Sequence, residues 1–263
     1  LNISFKDFKK KHLNKKSQII YTKRKCSDYS KIENLFKFIL AKENSFIFES
    51  VEKGKIRGRY TIIGLNPDII WDIKNGSVLE KKEGKVKKIN VKPLIFLNKV
   101  VEKFNIEIPK KLPAMASMIV GYFSYDIIRY VEKIPDNCKD DLDIPDVRLA
   151  RPNNLVIYDN LKKDIYYIEN VFCDLKIKNY IEKYDSIKRN FELFQDFENI
   201  KIPDQIINKK NFNKIKSNIS KSKFLEIVRK AKEHIKIGDI FQVVLSQRFE
   251  RKFKKRPIEI YNY

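Results

Sequence analysis

Histidine is almost missing from this chain of 263 residues: His12 and His234 are the only 2, so neither an imidazole-based metal set nor a Ser–His–Asp arrangement can be assembled. Glycine is scarce as well, at 7 residues, and no G-x-G-x-x-G or phosphate-cradling glycine loop occurs, which removes the dinucleotide and nucleotide-phosphate classes. The 3 cysteines, Cys26, Cys138 and Cys173, form no C-x-x-C pair. That argues against a disulfide framework or a zinc site and fits a reducing, cytoplasmic setting. Long apolar runs are lacking too. The longest mainly apolar stretch, Ala114 to Phe123, is about half of the roughly 20 residues a membrane-spanning helix needs, so no membrane partner is expected. No basic-then-apolar leader opens the chain and residue 1 is Leu, which leads us to expect a natural start further upstream.

What the chain has in excess is positive charge. Lys plus Arg number 56 against 34 Asp plus Glu, a formal net charge of +22, and such an imbalance invites a nucleic-acid or anionic-membrane partner. The lysines, however, are spread through almost every segment alongside abundant Ile and Asn, with no aromatic-studded basic stripe of the kind a single-strand binder uses. A general compositional bias explains them, and no nucleic-acid partner is expected. Hydrophobic residues at 43% support a sizeable core in one large or two small domains.

Periodicity predicts mixed, segregated elements. Ser27 to Lys42 carries Tyr29, Ile32, Leu35, Phe36, Phe38, Ile39 and Leu40 at mostly helical spacing after a capping Ser27 or Asp28. Phe46 to Pro67 reads as two β-rich runs around a Gly- and Lys-containing turn. Short strands over Ile69–Ile73, Ser77–Lys82 and Lys85–Ile89 meet at Asn75-Gly76 and Glu83-Gly84, both good tight-turn pairs. Pro93 opens a helix whose apolar face is Leu94, Leu97, Val100, Val101 and Phe104. Gly121 to Pro135 reads as a strand turning into a short helix. Strands over Asn154–Asp159 and Asp164–Val171 and a helix within Lys176–Asp196 follow. The weakly periodic, Lys- and Asn-rich stretch 198–218 marks a linker, with domains at 1–200 and 201–263. Beyond it, Phe224, Ile227, Val228, Ala231 and Ile235 make a helix stripe that Gly238 ends. From Ile240 to Glu250 the period becomes two, placing Gln242, Ser246 and Arg248 on one strand face, and Pro257 starts a last helix.

Four ordered blocks carry a family resemblance: F-I-F-E-S-V-E-K-G with G-R-Y-T-I-I-G-L-N-P, then G-Y-F-S-Y-D-I-I-R-Y-V-E-K-I-P, then D-D-L-D-I-P-D, and finally A-K-E-H-I-K-I-G-D-I-F-Q-V-V-L-S-Q-R-F. Together they resemble anthranilate synthase component I, a chorismate-utilising enzyme. The resemblance implies an α+β fold of antiparallel sheets packed with helices, an N-terminal domain followed by the incomplete beginning of a chorismate-binding domain. It also implies chorismate as substrate, Mg²⁺ as cofactor, a glutamine amidotransferase subunit as partner in a heterotetramer, and L-tryptophan as feedback inhibitor.

Residue by residue, Ser50 matches the serine that helps bind tryptophan in the family, and Glu49 is its neighbour. Gln242 stands where the related isochorismate and salicylate synthases carry a water-activating lysine, so it is the candidate chorismate-pocket residue. The acid–base histidine and the acidic Mg²⁺ ligands of the family are expected beyond Tyr263, as is the N-P-S-P-Y-M element. The chain as it stands is therefore expected to be inactive, or to be a regulatory and assembly module. Aminodeoxychorismate synthase component I is the alternative, with F-Q-V-V-L-S favouring the anthranilate enzyme.

Overall fold

The computed structural model describes residues 1–49, 58–137, 139–199, 215–252 and 257–261. The chain divides into two compact units, Leu1–Ile202 and Pro203–Tyr263. In the first, α1 (Phe5–Leu13), β1 (Gln18–Lys25), α2 (Tyr29–Ile39), β2 (Phe46–Phe48) and β3 (Tyr60–Lys74) are followed by β4 (Ser77–Lys82), β5 (Lys85–Ile89) and α3 (Pro93–Lys103). Then come β6 (Val120–Phe123), a 3₁₀ segment Tyr125–Tyr130, β7 (Val147–Asp159), β8 (Asp164–Val171) and α4 (Tyr180–Gln195). In the second unit lie β9 (Lys216–Ser217), α5 (Lys221–Lys236), β10 (Phe249–Glu250) and α6 (Pro257–Tyr261).

The first unit is built on two long antiparallel strands, β3 and β7, paired from Tyr60↔Asp159 to Ile73↔Val147. Each is flanked by two shorter strands placed end to end. On the outer side of β3, β2 pairs with the first half and β4 with the second. On the outer side of β7, β8 pairs with Asn154–Asp159 and β6 with Val147–Ala150. Strands β5 and β1 close the two edges. The expected break between the hairpin and the following meander does not exist, because β3 runs through it. Asn66 takes a positive φ of 51° and the register shifts between Pro67 and Ile69. That bulge lets a proline without an N–H sit inside a strand. The two tight turns come out as read, with φ of 48° and 74° at Asn75-Gly76 and 51° and 72° at Glu83-Gly84, the positive-φ pair of a type I′ hairpin.

One face of this sheet, from Ile20, Ile63, Val156, Ile165 and Tyr167, is covered by α1, α2 and α4 through Phe8, Ile32, Phe36, Ile187 and Phe191. Helix starts are capped: Asp28 accepts from the Ser30 N–H, and Asn179 from those of Ile181 and Glu182. The opposite face carries two apolar clusters. Leu155, Ile157 and Ile168 pack beneath Leu112 and Ala116, and Trp71, Ile73, Val147 and Leu149 pack beneath α3. Helix α3 buries a narrower stripe than its composition implies. Pro93, Phe96 and Val100 are inside, whereas Leu94 and Val101 are 38% and 73% exposed. Residues three and four apart share one helix face, and only one such row meets the sheet.

In the second unit Ser220 caps α5 by accepting from the Lys223 N–H, and Gly238 ends it at φ 85°. The strand expected over Ile240–Glu250 is reduced to β10, whose two residues pair with β9. Ile240 to Arg248 forms no ladder, and Phe241 is fully exposed. Alternating chemistry makes a strand only where a partner supplies ladder hydrogen bonds along at least one edge, and here Lys216–Ser217 supplies one short length.

Candidate functional site

Glu49 stands at the exit of β2, one residue past Phe48, which pairs with Ile62. Its carboxylate accepts a 2.6 Å hydrogen bond from the Tyr29 hydroxyl. Tyr29 is the first residue of α2, just after the Asp28 cap. Its ring leans on Tyr158 at 5.9 Å between centroids, and the Tyr158 hydroxyl in turn donates to the Cys26 carbonyl at 3.2 Å. Burial, reinforced by the Glu49 carboxylate, raises the Tyr29 hydroxyl well above the ordinary phenol range. Tyr29 is thus the donor and the Glu49 carboxylate the acceptor of a short contact. Ser50, the other residue matched to tryptophan binding, lies outside the described residues.

The same end of the sheet is stiffened by Arg59, whose guanidinium forks onto Asp159 at 2.6–3.1 Å. Asp159 is 1% exposed and also accepts from the N–H groups of Leu161 and Lys162. Burial works to raise its carboxyl, but Arg59 and those N–H groups hold it below the usual carboxylate range. The site can offer a fixed anion, Glu49, to a cationic head such as an ammonium.

Gln242 lies in the second unit, in the unpaired stretch after α5, and is exposed. The face it was expected to share with Ser246 and Arg248 does not form as a strand face. Arg248 pairs with Glu250 at 2.9 Å, and its backbone N–H donates to Asn218 Oδ1. Gln247, from the other predicted face, donates to Ser217 Oγ at 2.7 Å. His234 faces Asp239 at 2.8 Å, a local contact at the helix end. Among the described residues no group of three or more His, Cys, Asp and Glu side chains is placed to hold a metal ion, so these residues do not fit the implied Mg²⁺. No helix among them is long and apolar enough to cross a membrane.

Sequence reasoning missed Tyr29, which it treated as one more residue of a helix stripe. Nothing local marks a tyrosine whose partner lies twenty residues on. It also missed Arg151, which the fold buries between Asp68 and Asp174 on the other half of the sheet.

The sequence profile of the chorismate binding enzymes matches residues 43–263, across both units. Anthranilate synthase component 1 of Acetivibrio thermocellus is 34% identical over 233 residues, covering 87% of this chain and 47% of that protein. The component 1 of Cereibacter sphaeroides is 28% identical over 264 residues, covering 98% and 53%. The chloroplastic anthranilate synthase alpha subunit 1 of Oryza sativa subsp. japonica is 34% identical over 236 residues, covering 82% and 41%. Among solved structures, anthranilate synthase component I from Streptococcus pneumoniae TIGR4 superposes with a TM-score of 0.62 at 26% identity, covering 84% of this chain and 47% of that one. The chain spans about half the length of the curated relatives it matches.

Proposed function

The chain belongs to the chorismate-binding enzyme family, and from that premise we propose that the protein is the large subunit of an anthranilate synthase. The carrying observation is similarity to anthranilate synthase component 1 along 87% and 98% of the chain in two bacterial relatives. The reaction adds ammonia to chorismate with loss of water, then eliminates pyruvate to leave anthranilate. A glutamine amidotransferase subunit supplies the ammonia in this reading. Mg²⁺ would in this reading be held by residues other than the described ones, and would clamp the substrate carboxylate electrostatically. In the same reading 1–200 is the N-terminal domain, 201–263 begins the chorismate-binding domain, and the protein works in the cytoplasm.

Gln242 then faces the chorismate carbon that receives the nucleophile. A neutral amide cannot take a proton from water as a lysine of lowered pKa can, and ammonia needs no such help. Glu49 and Ser50 form part of a feedback site for L-tryptophan, with the Glu49 carboxylate receiving the ammonium while the Tyr29 hydroxyl holds it in place. A hydroxyl hydrogen bond to the ligand of the kind proposed for Ser50 is worth on the order of 1 kcal/mol. Ser50→Ala should therefore raise the tryptophan concentration needed for half-inhibition severalfold and leave the uninhibited rate unchanged. Unchanged inhibition removes Ser50 from the site.

The assignment is tested by mixing the natural protein with chorismate, Mg²⁺ and ammonium and following anthranilate fluorescence. Anthranilate is the expected product. Aminodeoxychorismate in its place would move the protein to the sister enzyme of that name.

A further inference from the structure

A cavity of about 340 Å³ opens between the β3–β4–β5 part of the sheet and α3. It is separate from Glu49: its residues Ile69 and Trp71 lie in the half of β3 that pairs with β4, whereas Glu49 follows β2, which pairs with the other half. Small-molecule sites run from about 300 to 1,000 Å³, with apolar walls and a few placed polar groups, and this cavity has that make-up at the small end. Trp71, Phe96, Val100 and Phe104 are among its walls. Trp71 and Phe96 meet edge to face at 6.2 Å, and the Trp71 indole N–H is tied to Glu80 at 2.9 Å, so the widest wall is fixed in orientation.

Most of the charges in the cavity are already engaged. Arg151 forks onto Asp68 at 2.9 and 2.6 Å, reaches Asp174 at 2.8 Å and lies 4.0 Å over the Phe172 ring. Asp174 also faces Lys82 at 3.7 Å, and Glu80 holds the indole. Two cations are left over. Lys99 and Lys103 line the cavity and are exposed, and their ammonium groups have no hydrogen-bond or ion-pair partner among the described residues. Four residues apart, they project from one face of α3. Apolar aromatic walls beside two uncommitted ammonium groups complement a flat apolar body with one anionic head.

We propose that this cavity binds a small aromatic monocarboxylate, its ring against Trp71 and Phe96 and its carboxylate toward Lys99 and Lys103. This stands independently of the anthranilate synthase reading, since neither Glu49, Ser50 nor Gln242 takes part. Trp71 is the single tryptophan in the chain, so its fluorescence reports on this cavity. Titrating the full chain with phenylacetate should give a saturable change in that signal, with phenylacetamide at least about fivefold weaker. The Lys99→Gln/Lys103→Gln variant keeps the walls and should weaken phenylacetate about fivefold, the size expected of two solvent-exposed charge contacts. Its urea midpoint should be unchanged, which separates a lost contact from a damaged fold. The absence of a saturable change, equal binding of acid and amide, or unchanged affinity in the variant would each overturn the proposal.

Discussion

Replacing Arg151 with methionine tests whether the crossing point of this sheet is held by charge. Arg151 is 8% exposed. Its partner Asp68 has a side chain only 6% exposed and sits 2.6 Å from the guanidinium, whereas the Asp174 side chain is 49% exposed. Methionine fills much of the arginine stem, so packing loss is small and the main effect is an orphaned buried carboxylate. Removing one partner of a buried ion pair costs about 3–5 kcal/mol. With a urea slope of about 2 kcal/mol/M, that lowers the midpoint by about 1.5–2.5 M. Asp174→Asn removes a half-exposed partner and should cost under about 1 kcal/mol. The double variant Arg151→Met/Asp68→Asn should recover at least half of the loss, because the stranded charge is gone. Urea unfolding followed both by Trp71 fluorescence and by far-UV circular dichroism measures all three. A loss below about 1 kcal/mol in Arg151→Met, or an equal loss in Asp174→Asn, refutes the reasoning.

Acid sensitivity should follow from Asp72, Asp159, Asp164 and Asp174, where burial pushes each carboxyl up and the partners together more than reverse it: Arg148 with Lys81, Arg59 with the Leu161 and Lys162 N–H groups, Lys23 with Lys25, and Arg151 with Lys82. Their folded values lie below the unfolded value of about 3.9, so the unfolded chain binds more protons in acid. Stability is then complete above about pH 5 and falls as pH drops through 4; a urea midpoint that stays flat from pH 7 to 3 would contradict this, and Asp159→Asn should make the slope shallower. Gly121→Ala should destabilise far more than Gly84→Ala. A Cβ on Gly121 would lie 1.8 Å from the Arg148 carbonyl oxygen, whereas one on Gly84 meets nothing within 4 Å and costs only its φ of 72°, about 1 kcal/mol; the reverse order of melting temperatures would be a failure. In the natural enzyme Gln242→Lys should depress anthranilate formation more than it depresses stability, and near-normal ammonia-dependent activity would remove Gln242 from the pocket.

Elements with a local cause were legible. The Asp28 cap, the Asn75-Gly76 and Glu83-Gly84 turns, and the Gly238 stop are decided by a few adjacent side chains and φ values. Extent was less so. A bulge at Pro67 merges two predicted strands into one, and whether 240–248 joins a sheet depends on a partner far along the chain, which periodicity does not contain. The candidate residues follow the same division. Ser50, Glu49 and Gln242 were singled out as candidates because their neighbours match family motifs, while Tyr29 and Arg151 were invisible because their significance is a contact.

By itself the sequence determined the α+β class, the order of the elements from α2 to α5 and the family, because apolar period, turn chemistry and contiguous motifs are properties of the chain read in order; α1 and β1 were not read from it. Only the tertiary structure decided which half of β3 meets which strand, that Phe96 rather than Leu94 faces the sheet, that Tyr29 reaches Glu49, and that Arg151 sits between Asp68 and Asp174. The side-chain contacts among them join residues from 20 to 83 positions apart. Their energies come from burial and pairing, which exist only once the strands have assembled and excluded water.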